Sequence, residues 1–461
     1  MVFSSLTFLL GFLPLTLILY YTVPNKAKNF VLLLCSLVFY AWGEPVYVFL
    51  MIYSILLNYS FGRLMDKYGR HKKMILIFTV FMNLLILGFF KYYGFVVNTL
   101  NSVAGLSLKV KKIPLPIGIS FYTFQAMSYI IDLYRGKYGA QKNLITFAAY
   151  ITMFPQLVAG PIVKYEDLRE ELEKRSLSLE RFGYGCARFL YGLAKKVLLA
   201  NAVGAVFESV NSLDGAGIAA ATGWIGAVSY TFQIYFDFSG YSDMAIGLGN
   251  MLGFSFSENF DEPYTAAGVS DFWRRWHISL GTWFREYVYI PLGGNRVRAW
   301  KHIRNIMIVW SLTGLWHGAG WNYILWGLYY AILLIIDKYL VERLKLFPKW
   351  LKRIFTIPVV IIGWVIFTSD SVSGAIRGIS RLFGSTGILF NDETLYLLRT
   401  NGILLIICAV LCMGIHKKIH TKICNLSAGR AVTIVFNTVL LALCFVYLIT
   451  QSYNPFLYFQ F

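Results

Sequence analysis

The run Ser311-Leu-Thr-Gly-Leu-Trp-His317-Gly-Ala-Gly-Trp321 sets a histidine inside an otherwise apolar stretch. A second histidine ends the run Asp271-Phe-Trp-Arg-Arg-Trp-His277. An ionisable side chain at membrane depth is costly to bury and marks a functional site by default. Imidazole is also the side chain best suited to move a proton near neutral pH. A core histidine bonded to a neighbouring backbone group is the plainer reading. At His317 the cost of burial in lipid argues against it, as do the flanking Gly314, Gly318 and Gly320, which let a helix or a substrate approach closely.

Whether these histidines lie in a membrane depends on the rest of the chain. Hydrophobic residues make up 57% and charged residues 14% of 461, and the mean hydropathy is +0.59. Segments near the roughly 20 apolar residues that a transmembrane helix needs recur from 3–23 to 431–450. The alternating segments of a β-barrel are missing. The composition therefore predicts an all-α polytopic membrane protein, with roughly ten or eleven crossings plus re-entrant and interfacial helices. No internal repeat is visible, which weakens an inverted-repeat transporter, and 1–461 reads as one integral-membrane domain.

The net charge of +19 comes from short basic clusters between apolar spans, among them Arg70, Lys72 and Lys73, then Arg296, Arg298 and Lys301. That is the positive-inside pattern of cytoplasmic loops, not a nucleic-acid surface. It is compatible with an anionic donor such as a CoA thioester or an acidic carrier protein. The six cysteines are scattered, so neither a disulfide framework nor a metal site is expected. His416 and His420 share a helical face but have no third ligand nearby in sequence. Residues 1–23 carry no basic n-region and read as a first membrane helix rather than a cleaved signal.

Residues 165–179 predict an amphipathic charged helix on the cytoplasmic surface, and 369–400 an external or interfacial loop. Wound as one helix, 271–291 would put Trp273, Trp276, His277, Leu280 and Phe284 on one face, with Asp271 pairing Arg275 one turn on. The run Tyr230-Thr-Phe-Gln-Ile-Tyr-Phe-Asp237-Phe-Ser-Gly-Tyr-Ser-Asp243 places two acids in a Tyr-rich segment. It suits a water-accessible cavity, or equally a helix break capped by Ser and Asp. In Met153-Phe-Pro155-Gln156, helix breaking explains the proline and only Gln156 hints at a site. Nucleophile-elbow, P-loop and dinucleotide-binding motifs are absent.

Four stretches carry a resemblance: MFPQLVAGPIVKY (153–165), FDFSGYSDMAIGLGNMLGF (236–254), ENFDEPY with SDFWRRWHISLGTWFREYVYIPLGGNR (258–296), and LTGLWHGAGWNYILWG (312–327). Together they resemble the membrane-bound O-acyltransferase family, in its bacterial polysaccharide O-acetylation branch. The resemblance implies a ring of tilted helices around a thinned centre, with His317 as principal catalytic histidine and His277 as the second. It implies no bound cofactor, an acyl-CoA or acyl-carrier-protein donor, an extracytoplasmic esterase-fold partner, and residence in a bacterial plasma membrane. Substrate contacts are expected from Asp237, Asp243, Gln156, Trp316, Trp276 and Tyr330. Many relatives carry a further histidine where this chain has Tyr329-Tyr330-Ala331, so its part would be altered here or taken over by tyrosine.

The segment 453–461, with Asn454-Pro-Phe456-Leu-Tyr458-Phe-Gln-Phe461, resembles the aromatic C-terminal motif of the exporting branch, where a tyrosine is proposed to carry the acyl group. If the basic 416–430 segment is cytosolic, the span 431–450 delivers Tyr458 to the outer face. The expected route runs from a cytosolic thioester to Tyr458, with His317 as base and with His277 steadying the oxyanion or sharing the proton. The rivals are direct acylation of a lipid or glycan hydroxyl and a non-catalytic transporter.

Overall fold

The computed structural model describes residues 1–213, 217–342, 347–415, 419, 422–423, 428–450 and 456–457. Among them the backbone is almost wholly helical, without a strand and with one isolated antiparallel bridge between Phe260 and Trp276. His416, His420, Cys424, Asn454 and Tyr458 lie outside the described residues. Seven described helices are long and apolar enough to cross a bilayer, including Trp321–Glu342, Lys349–Thr368 and Gly429–Thr450. Other apolar segments form helices that are short, such as Thr7–Thr22, or interrupted by polar residues, such as Ala220–Leu252. The protein is a multi-pass α-helical membrane protein.

Two compact units divide the chain: Met1–Phe189 with Ser242–Ser257, and Leu190–Tyr241 with Glu258–Phe461. In the first unit, helices Val48–Lys67 and Lys72–Ala104 lie side by side. Lipid tails are as apolar as Leu, so polar side chains help hold such helices together. Asn58 and Asn83 exchange side-chain hydrogen bonds of 3.1 and 3.0 Å.

Also in the first unit, helix Leu144–Thr152 starts on an Asn143 cap and stops ahead of Pro155. A helix end leaves carbonyls without intrahelical donors. Gln125 and Gln156 each donate Nε2 to the Tyr150 carbonyl at 2.8 Å. The expected charged helix is shorter than 165–179: it spans Tyr165–Glu173, and Ser178 then accepts the Arg181 N–H at 3.1 Å at the start of helix Leu179–Ala194. Serines favour such caps over helix interiors, which explains the break.

Two further expectations are corrected by the described helices. Stretch 369–400 is not a loop. Ser371 caps helix Val372–Leu382, and Asn391 caps helix Asp392–Cys412 through a reciprocal bond with Thr394. These Ser and Asn positions are cap signals, and averaged polarity hides them. The Tyr-rich run 230–243 contains no break either, because helix Ala220–Leu252 runs straight through Asp237 and Asp243.

Helices Ala299–His317 and Trp321–Ile336 form a tight hairpin in the second unit. A Cβ on Gly314 would meet the Tyr323 carbonyl at 2.3 Å, and one on Gly327 would meet the Trp310 carbonyl at 2.4 Å. Only the absence of side chains lets the backbones come this close, and this packing fixes His317 at the hairpin tip. Gly327→Val should therefore lower thermal stability in detergent by at least the roughly 1–3 kcal/mol typical of overpacking. Gly402→Val, where a Cβ meets nothing within 4 Å, should leave it unchanged. Equal unfolding temperatures for the two variants would rule out the close contact.

Candidate active site

The segment carrying His277 is not one helix. It divides into Val269–Arg275 and Ile278–Phe284, with Trp276 extended and His277 in the left-handed region at φ 47° and ψ 55°. Glu262 and His277 are the described non-glycine residues with positive φ. Such a conformation costs on the order of 1–3 kcal/mol and persists only where its surroundings impose it.

Asn259 and Asp261 supply those surroundings. The Ile278 N–H donates to the Asn259 carbonyl at 3.0 Å and the Asp261 N–H to the Arg275 carbonyl at 2.9 Å, an antiparallel pairing that helix geometry forbids. The Asn259 side chain is fully buried, and its Oδ1 accepts from the Ser279 N–H at 3.1 Å and the Ser279 hydroxyl at 2.9 Å. His277 Nδ1 stands 3.2 Å from the same oxygen. The expected Asp271–Arg275 pair is present at 3.1 Å. Partial burial works to raise the Asp271 carboxyl, but the Ala267 N–H and the Arg275 guanidinium outweigh it and hold its pKa below the usual carboxylate value.

The turn delivers Trp276 and His277 to an aromatic cluster. The His277 ring meets Phe238 edge-on with centroids 4.7 Å apart and lies 5.9 Å from Trp316. Trp316 in turn lies 5.0 Å from the ring of His317, so one indole touches both imidazoles. His317 is the last residue of its helix, only 6% exposed, with Trp326 at 5.0 Å and Phe367 at 5.3 Å. A cavity of about 10 Å³, near the least that holds one water, is lined by Ile234, Asp237, Phe238, Trp276, His317, Trp364, Phe367 and Leu457.

Asp237 reaches this cavity by close helix packing. A Cβ on Gly240 would meet the Gly192 carbonyl at 2.8 Å. That approach sets Lys196, in the π-helical turn Lys195–Ala200, against Asp237 as a buried ion pair. The second carboxylate oxygen accepts the Leu457 N–H at 2.8 Å. Lys196 Nζ also lies 4.8 Å from the centroid of the Phe456 ring, which packs edge-on to Tyr241 at 5.0 Å.

The structure thus brings together His317, His277, Trp276, Trp316 and Asp237. Tyr330 sits one layer back, 5.2 Å from Trp326 and 4.8 Å from Trp273. Gln156 and Asp243 belong to the first unit, where Asp243 pairs with Arg188 at 2.6 Å. Among the described residues no group of three or more His, Cys, Asp or Glu stands ready to hold a metal.

The sequence reading missed Asn259 and Lys196. Lys196 had a signal, since a lysine inside an apolar run invites a search for its acid. Asn259 had none beyond lying in a quoted motif.

The family profile for the membrane-bound O-acyltransferases matches residues 139–374, which contain both histidines. The probable alginate O-acetylase AlgI of Azotobacter vinelandii is 43% identical over 405 residues, covering 86% of this chain and 79% of its own. That of Pseudomonas putida is 40% identical over 490 aligned residues and the full length of both chains. The peptidoglycan O-acetyltransferase of Helicobacter pylori is 32% identical, covering 84% of this chain and 81% of its own. Two buried imidazoles at an aromatic cavity, in a chain with this kinship, have one reading: the protein belongs to the membrane-bound O-acyltransferase family and is an acyltransferase.

Proposed function

We propose that this enzyme moves an acyl group, acetyl by kinship with the O-acetylases, from a cytosolic thioester of CoA or a carrier protein towards the O-acylation of an envelope or exported polysaccharide. The group passes through a transient ester on Tyr458 in a bacterial plasma membrane. An esterase-fold partner outside the membrane receives it. One observation carries this reading: Leu457, the residue before Tyr458, lines the same cavity as His317 and is tied to Asp237 by its own N–H.

In the first step the Tyr458 oxygen attacks the thioester carbonyl. A C–O bond forms, the C–S bond breaks, and His317 takes the phenolic proton and returns it to the departing thiolate. A free phenol has a pKa near 10, so a positioned base accelerates the step by roughly 10²–10⁴-fold. In the second step an acceptor hydroxyl attacks the tyrosyl ester: a new C–O bond forms, the bond from the acyl carbon to the phenolic oxygen breaks, and the acceptor's proton passes to the phenolate, which restores the tyrosine. Two transfers in series let an activated acyl group cross without carrying its donor through lipid.

Intact mass of the C-terminal peptide tests the relay. Wild-type protein should carry an acyl adduct on Tyr458, while His317→Gln and Tyr458→Phe should not. Polymer acylation that survives Tyr458→Phe would favour direct transfer to a glycan or lipid hydroxyl. Full acylation by His317→Gln would favour a transporter.

The Asp237 contacts give a second test. Removing one partner of a buried pair costs about 3–5 kcal/mol, whereas replacing both with apolar residues is often neutral. Asp237→Ala should be strongly destabilised, and Asp237→Leu with Lys196→Met should regain most of that stability. The double variant should still fail to acylate Tyr458, because the Leu457 N–H has lost its acceptor. Wild-type acylation in the double variant would show that the tail does not depend on Asp237.

A further inference from the structure

We infer that His277 is held with its proton on Nδ1 and its lone pair on Nε2, so that it acts on the hydroxyl side of the reaction as an acceptor, and that Asn259 is the positioning residue that sets this. A backbone N–H can only donate, and the Ser279 N–H points at the Asn259 side chain from 3.1 Å. The side-chain atom that receives it must therefore be the amide oxygen, not the amide nitrogen. This removes the usual ambiguity of an asparagine flip. The Ser279 hydroxyl, 2.9 Å from the same oxygen, is consistent with that assignment.

His277 Nδ1 lies 3.2 Å from this oxygen, and an oxygen that only accepts requires the ring nitrogen to donate. The proton is thus on Nδ1. The ring is buried at 2% exposure, its Nδ1 partner is a neutral amide, and Phe238 and Trp316 pack around it. Burial of this kind disfavours the charged imidazolium. In the neutral ring, Nε2 must then carry the lone pair.

Steadying an oxyanion takes a donor, and Nε2 of this tautomer is not one. What it can do is accept a hydrogen bond from a hydroxyl, orienting the oxygen before attack. His277 therefore cannot fill the oxyanion-steadying part that the expected route offered it. The left-handed backbone at His277 belongs to the same device, because the Asn259 carbonyl and side chain together fold the turn that puts Nδ1 over Oδ1.

The tautomer follows from the geometry alone, and its catalytic meaning rests on the acyl-transfer function proposed above. The experiment separates the two. Protein labelled with ¹⁵N-histidine is reconstituted in nanodiscs without substrate, and the His277 ring signals are assigned by their loss in His277→Gln. A protonated Nδ1 and an unprotonated Nε2 at neutral pH are expected. A protonated Nε2, in either the neutral or the doubly protonated ring, would overturn the inference.

Acyl transfer is then measured in two variants. Asn259→Asp keeps an acceptor oxygen and should keep both the Nδ1–H signature and transfer. Asn259→Leu should lose the signature and slow transfer by between about 10²- and 10⁴-fold, the usual worth of a positioned acid or base. Unchanged transfer in Asn259→Leu with a changed tautomer would remove Asn259 from the reaction. Should the acyl-transfer reading itself fail, no variant would transfer while the wild-type tautomer stood.

Discussion

The site depends on a single amide oxygen. Asn259 Oδ1 gathers the Ser279 N–H, the Ser279 hydroxyl and the His277 ring, while its backbone carbonyl takes the Ile278 N–H. A segment rich in aromatics and with fair helical periodicity would otherwise continue as a helix past Trp276. These bonds take the place of those that one more turn would supply, and a buried polar group left unpaired costs more than a made bond contributes. They hold His277 in a conformation that a non-glycine residue rarely adopts, and they turn Trp276 into the wall of the cavity.

Close glycine packing supplies the other half. The Gly314–Gly327 approach holds the tip of the hairpin where His317 ends its helix, and the Gly192–Gly240 approach sets Lys196 against Asp237. Membrane helices gain little from burying apolar surface against each other, so they rely on such contacts and on polar pairs. Around the two imidazoles the rings of Trp316, Trp326, Phe238 and Phe367 pack edge-on. That wall keeps bulk water out and strengthens whatever electrostatic work the polar groups do.

The Asp237 carboxylate has two duties that pull on different parts of the chain. One oxygen neutralises Lys196, and the other accepts the Leu457 N–H beside the cavity. A charge placed this deep is costly unless both of its faces are satisfied. The pairing therefore makes the seat of residues 456–457 a matter of charge balance as well as shape. Phe456, almost fully buried over the Lys196 ammonium, adds a cation–π contact to the same seat.

The sequence by itself determined that the protein spans the membrane as helices, because hydrocarbon leaves a backbone no other way to satisfy its polar groups. It also singled out His317 and His277 as candidates, because ionisable groups are rare and costly there, and its motifs carried the family. It could not show that His277 sits at a turn. Periodicity counts side chains, whereas the break is made by Asn259, eighteen positions away in the hydrogen-bonded pair. Nor could it separate Asp237 from Asp243, two acids on one helix: the first holds Lys196 and Leu457, the second Arg188. Stretch 369–400 misled for a similar reason, since average polarity suppressed the caps at Ser371 and Asn391. Local pattern fixes which groups must be buried or exposed. Which partner each buried polar group finds is settled only when distant segments pack, because a hydrogen bond depends on distance and direction and not on position in the chain.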